Sequence, residues 1–131
     1  MSKLELNLVL VMIMMLIASM DIHGSMADEH TVGGSFSWRV PEYARHYADW
    51  SSHNQFKVKD VLLFNFTTGY HDVAEVTKDA YDQCDCSYPI SLYKEGPIRL
   101  TLETAEDHYY ICTIVEHCNL SQKLAVRVDL N

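Results

Sequence analysis

Polar and apolar positions alternate through much of the second half of the chain. In Lys123-Leu124-Ala125-Val126-Arg127-Val128-Asp129-Leu130, the residues Leu124, Val126, Val128 and Leu130 share one face, while Lys123, Arg127 and Asp129 share the other. That period of two predicts a half-buried strand. Ile98-Arg99-Leu100-Thr101-Leu102-Glu103 repeats the pattern after a Gly96-Pro97 turn. Val61 to Phe66 is apolar at nearly every position up to Asn65, Thr67-Thr68-Gly69 makes a turn, and His71 to Val76 opens the next strand. His108-Tyr109-Tyr110-Ile111-Cys112 is a further aromatic and β-branched run. Two stretches read as helical. Pro41 to Trp50 carries Pro near its start and sets Tyr43, Tyr47 and Trp50 on one helical face, and Lys78 to Cys84 fits a single turn. Short strands separated by turns, with one or two short helices, predict an all-β sandwich.

The opening of the chain breaks this pattern. An unbroken apolar run from Leu8 to Ala18 follows a polar start with Lys3 and precedes small residues at Ser25 and Ala27. This is the layout of a secretory signal peptide, residues 1–27, cut after Ala27. The run is well short of the ~20 apolar residues a membrane anchor needs. Removing residues 1–27 from the 131 leaves one domain, 28–131, of 104 residues with nine Lys/Arg, 16 Asp/Glu and a net charge of −7. A chain of that size buries about 65% of its unfolded surface around a single core. Scattered acidic residues without a basic cluster exclude nucleic acid as a partner. No second apolar stretch follows, so no span or lipid-anchor signal is expected in the mature chain.

The four cysteines change the picture. In a secreted chain they would ordinarily form two disulfides. Cys112, however, begins a Cys-x4-His-x4-Gln array with His117 and Gln122. Five residues span about 17 Å when extended, whereas ligands sit only about 2.0 to 2.3 Å from a shared metal. The segment must therefore loop back around an ion. With His71, which opens a predicted strand, the set becomes two imidazoles and one thiolate, the trigonal arrangement of blue copper, and Gln122 supplies the weak axial ligand. Of the other cysteines, Cys84 and Cys86 are too close in sequence to bridge easily, so Cys118 pairs with one of them.

From Thr31 to Asp129 the chain resembles the phytocyanins, the plant blue copper proteins, and among them the glutamine-ligated, stellacyanin-like kind. The matching pieces are Val32-Gly33-Gly34 with Trp38, Tyr47-Ala48-Asp49-Trp50, Phe56-Lys57-Val58-Lys59-Asp60, Phe64 to Val76, Tyr81-Asp82-Gln83-Cys84, Gly96-Pro97, His108 to Cys112, and His117 to Leu124. The resemblance implies a cupredoxin-like Greek-key β-sandwich with one type 1 copper ion held by His71, Cys112, His117 and Gln122. It also selects Cys84 as the partner of Cys118, leaving Cys86 as an extra thiol, and implies that electrons enter through the edge of His117. Lys59 and Ser121 stand where the family usually has glycine, and Gly34 where it usually has aspartate.

Other readings of the same residues are weaker. Structural zinc sites usually carry closely spaced pairs such as Cys-x2-Cys, which are missing here. A Cys112–His117 nucleophile lacks acid-base and oxyanion context. His30, His46, His53 and His108 are assigned no chemistry, and the aromatic residues are most simply core. Asn65-Phe66-Thr67 and Asn119-Leu120-Ser121 are glycosylation sequons, with Asn65 the better placed because Asn119 lies inside the array. The expected function is a secreted, extracellular (apoplast or cell-wall) one-electron carrier cycling Cu(I)/Cu(II), not an enzyme. It is expected to be a monomer and to exchange electrons with a small-molecule or protein partner. The competing class is an extracellular binding or structural module in which copper is incidental; the intact ligand set separates the two.

Overall fold

The computed structural model describes residues 2–20 and 26–130. Helix α1 (Lys3–Met20) takes up the apolar run. Among the described residues no helix is long and apolar enough to cross a membrane. Ala27 is exposed, and Ser25, the other small residue of the predicted leader boundary, lies outside the described residues.

The remainder is a two-sheet sandwich. Strands β1 (Glu29–Thr31), β3 (Val61–Phe64) and β6 (Ile98–Thr101) form one sheet in the order β1-β3-β6. Strands β2 (Phe56–Lys57), β8 (Lys123–Asp129), β7 (Asp107–Ile111), β4 (Val73–Val76) and β5 (Ser91–Tyr93) form the other, in that spatial order. The β1–β3 and β2–β8 pairs are parallel and the rest antiparallel. The short helices are α2 (His46–Ser52) and α3 (Lys78–Gln83).

The alternation seen in the sequence now has its cause. Leu124, Val126 and Val128 of β8 are buried against Trp38, Tyr47, Phe64 and Tyr110 in the inter-sheet core. Leu130 departs from the prediction and is 77% exposed, because β8 ends at Asp129 and no partner strand continues beside it. Helix α2 is also shorter than its pattern predicts. It begins at His46 rather than Pro41, so Tyr43 lies before the helix, exposed and edge-on to His46. Tyr47 takes the buried position, and its hydroxyl lies 2.7 Å from the Ser37 carbonyl and accepts the Arg39 N–H at 2.9 Å. Gly33 permits that approach: at φ 76° it lies so close to Tyr47 that a Cβ would come within 2.9 Å of the ring and 2.6 Å of the Ser37 carbonyl. Helix α3 forms where expected, with Thr77 capping it by accepting the Ala80 N–H.

Candidate metal centre

The site sits at one end of the five-stranded sheet, where β7 ends, β8 begins and β4 is about to start. Ile111 pairs with Lys123 in the β7–β8 ladder, so the next residue out on one side is Cys112 and on the other Gln122. The Cys112 N–H donates to the Gln122 carbonyl at 3.1 Å and closes the ladder. Between them the chain coils back on itself through His117 N–H to Ile114 carbonyl and Gln122 N–H to His117 carbonyl, both 3.0 Å. Glu116 at φ 70° and Ser121 at φ 77° supply the left-handed corners. This is the folded-back loop that the residue spacing demands.

His71 lies just ahead of β4 rather than within it. Its backbone bridges to Thr68 across the Thr67-Thr68-Gly69 turn, and β4 starts only at Val73. The turn's own hydrogen bond, Tyr70 N–H to Thr67 carbonyl, takes up the backbone that a longer strand would have used.

These elements bring His71, Cys112 and His117 together with their ligand atoms all within 4.8 Å of one another. Cys112 Sγ is 3.5 Å from His117 Nδ1. A trigonal plane with bonds of about 2.0 to 2.3 Å has edges of about 3.5 to 4.0 Å, so the separation suits a shared ion. Gln122 is fully buried; its Oε1 is 3.2 Å from His71 Nδ1 while its Nε2 has no hydrogen-bond partner. A buried amide with one end unpartnered is costly, and its carbonyl end is aimed into the cluster.

The electrostatics agree with a cation site. Burial pushes the Cys112 thiol up to about 11, so near neutral pH it becomes a thiolate only when a cation takes the proton's place. Burial, and then the neighbouring His117, hold His71 below the usual histidine value, leaving the imidazole neutral and free to ligate. Two imidazoles, a thiolate and an amide oxygen are the donor set of type 1 copper, and the residues fit it.

Two supporting residues carried no functional reading in the sequence. Asp72, only 3% exposed, accepts the Thr113 N–H at 2.6 Å and also the Thr113 hydroxyl. The residue after one candidate ligand is thereby clamped to the residue after another. Trp38, read as core, donates its indole N–H to the Asp72 carbonyl at 2.8 Å and fixes the same loop from inside. The available signal was positional: Asp72 follows His71, and Thr113 follows Cys112. Cys84 and Cys118 are bridged, with Cα atoms 5.7 Å apart, while Cys86 is free and exposed. The other histidines stay outside the cluster; His108, for example, sits with Nδ1 3.0 Å from Glu75 Oε1.

Comparison with known proteins places this geometry. Residues 38–122 match the plastocyanin-like domain family. The chain is 38% identical over 103 residues to stellacyanin of Toxicodendron vernicifluum, covering 77% of this chain and 96% of that one. It is 36% identical over 102 residues to a blue copper protein of Arabidopsis thaliana, covering 78% of this chain but only about half, 52%, of the relative. Among solved structures, cucumber stellacyanin with Cu2+ superposes with a TM-score of 0.76 at 31% identity, covering 82% of this chain and 99% of that one. With the cupredoxin-like sandwich, the His–Cys–His cluster and these relatives together, the chain belongs to the phytocyanins, the plastocyanin-like family of copper-binding proteins.

Proposed function

We propose that this phytocyanin is a secreted, mononuclear blue copper protein that carries single electrons, with His71, Cys112 and His117 as in-plane ligands and Gln122 as the axial one. The observation that carries the reading is the convergence of two histidine nitrogens and a buried thiol within 4.8 Å. When bound, copper supplies one-electron exchange between Cu(I) and Cu(II). The protein's part is to hold the donors still. The β7–β8 ladder, the Asp72–Thr113 clamp and the Cys84–Cys118 bridge all bear on the ligand loop, so little has to move when the charge changes. His117 is half-buried, and Ile114, Val115 and Leu120 around it are exposed, a surface suited to a partner's approach. The leader, residues 1–27, is removed after Ala27, and Asn65 and Asn119, both exposed, are acceptors for glycans in the secretory route.

The copper-loaded, oxidised protein is expected to be intensely blue through sulfur-to-copper charge transfer, and Cys112→Ser to bleach it. A colourless loaded sample would overturn the carrier reading. An axial amide oxygen favours Cu(II) more than a thioether does, so Gln122→Met is expected to raise the reduction potential. No rise would remove Gln122 from the axial role.

A further inference from the structure

Asp60 carries a carboxylate buried to 0% exposure at the turn between β2 and β3. Its oxygens accept three hydrogen bonds. Oδ1 takes the Asp28 backbone N–H at 2.9 Å, and Oδ2 takes the Lys57 N–H at 3.0 Å and lies 2.9 Å from His30 Nε2. Burial alone would push this carboxyl up, but these hydrogen bonds hold it below the usual carboxylate range. Burying a charge is costly unless it is both hydrogen-bonded and paired. Among the described residues its one side-chain partner of opposite sign is His30, which is charged only when protonated. Lys59, next to Asp60 in sequence, is engaged with Glu103 at 2.6 Å.

Asp28 is also the first residue after the proposed leader. We infer that cutting the Ala27–Asp28 bond sets the new α-ammonium of Asp28 directly on the Asp60 carboxylate, creating an ion pair absent from the precursor that anchors β1 in the mature protein. The inference rests on the leader boundary proposed above. Met26 is 83% exposed and Ala27 is exposed, so the bond is open to a leader peptidase. In the cut, water adds across the amide: its oxygen goes to the Ala27 carbonyl carbon, the C–N bond breaks, and both water protons end on the Asp28 nitrogen as the new acid ionises. The products are an Ala27 carboxylate and an Asp28 ammonium.

No rearrangement is needed, since the nitrogen already lies 2.9 Å from Oδ1, within the range of a charge-assisted bond. The pair would secure the parallel β1–β3 edge, because the Asp28 carbonyl accepts the Val61 N–H at 2.9 Å and Glu29 pairs with Val61. A terminal amine raised by such a partner contributes stability that is complete below its unfolded value of about 8 and is lost as pH rises through its folded value.

The test uses the full chain expressed in a secretory host and loaded with copper. Intact mass and N-terminal sequencing are expected to read Asp28 first. In 15N-labelled protein the α-ammonium is expected to titrate about one pH unit or more above the ordinary value near 8. Asp60→Asn should return it to the ordinary value without altering the blue band. A different first residue defeats the leader boundary. An Asp28 terminus that titrates normally, or that stays raised in Asp60→Asn, defeats the pairing. Should Asp60→Asn fail to fold, a mature chain retaining Ala27, released from a cleavable fusion, replaces it. That chain is expected to melt at a lower temperature than the Asp28 form at pH 7 and to match it above pH 10; equal melting at pH 7 overturns the inference.

Discussion

Single residues decide how rigidly the candidate site is held. Asp72 is not itself a candidate donor, yet it joins the His71 loop to the Cys112 loop through Thr113. Supports of this kind typically change metal affinity 10- to 100-fold. Asp72→Ala is therefore expected to weaken copper binding by about that factor while the protein stays folded, as read by titrating copper against a competing chelator and following the blue band. Lys59 and Ser121, where the family usually has glycine, adopt φ of 80° and 77°. A side chain in the left-handed region costs about 1 to 2 kcal/mol, and glycine gives back about 0.5 to 1 kcal/mol through its freer unfolded chain. The Lys59–Glu103 pair lost on substitution is exposed on both sides and of little weight. Lys59→Gly is thus expected to stabilise the fold by roughly 0.5 kcal/mol or more, measurable by urea unfolding. A neutral or negative change would show that the backbone strain is relieved elsewhere.

Elements, in turn, transmit constraint from the sandwich to the ligand loop. Cys84 caps α3, and Cys118 directly follows His117 in the loop, its side chain packed among Ala74, Val76 and Ile111. The bridge ties α3 to the metal end of the sheet across a separation of 34 residues, a loop for which chain entropy gives about 3 to 4 kcal/mol. Replacing both cysteines by serine is expected to cost about that much stability and, because His117 loses its neighbour's tether, to broaden the blue band as well. Both must be replaced together: with Cys84 alone removed, the free Cys86 two residues away is available to Cys118. Strands β6 and β8 were legible from alternation, and β3 and β7 from apolar or aromatic runs. Strands β1, β2 and β5, of two or three residues, are too short to show a period, and the parallel pairings of β1 and β2 are set by partners far along the chain. The metal cluster was legible for a different reason. Cysteine, histidine and glutamine at fixed steps have few joint uses, whereas an aspartate clamp such as Asp72 looks like any other acidic residue until the fold brings Thr113 to it.

At the scale of the whole molecule, the stability of an acidic protein with a net charge of −8 should depend on pH through its few buried ionisable groups more than through its many exposed ones. His108 of β7 is one such group, with 10% of its side chain exposed and Glu75 of β4 beside it. Burial disfavours its charge, but the hydrogen bond to Glu75 and the contact with the Thr104 carbonyl prevail and raise its pKa above the ordinary histidine value. The sign follows from that direction. The group binds its proton more tightly when folded, so its contribution is fully present below about 6.5 and is lost as pH rises through the higher folded value. Copper-loaded protein is the right sample, since a bound metal keeps the imidazoles that ligate it from taking up a proton. Its melting temperature should fall in a step as pH rises above about 6.5, and Glu75→Gln should abolish that step while lowering stability on its acid side. A second step, at the more alkaline pH where a terminal amine titrates, should survive Glu75→Gln and vanish in Asp60→Asn. Two steps removed by two different substitutions would assign the pH dependence to two separate contacts, the β4–β7 pair and the Asp28–Asp60 pair. A single step insensitive to Glu75→Gln would show that the β4–β7 contact contributes nothing to it.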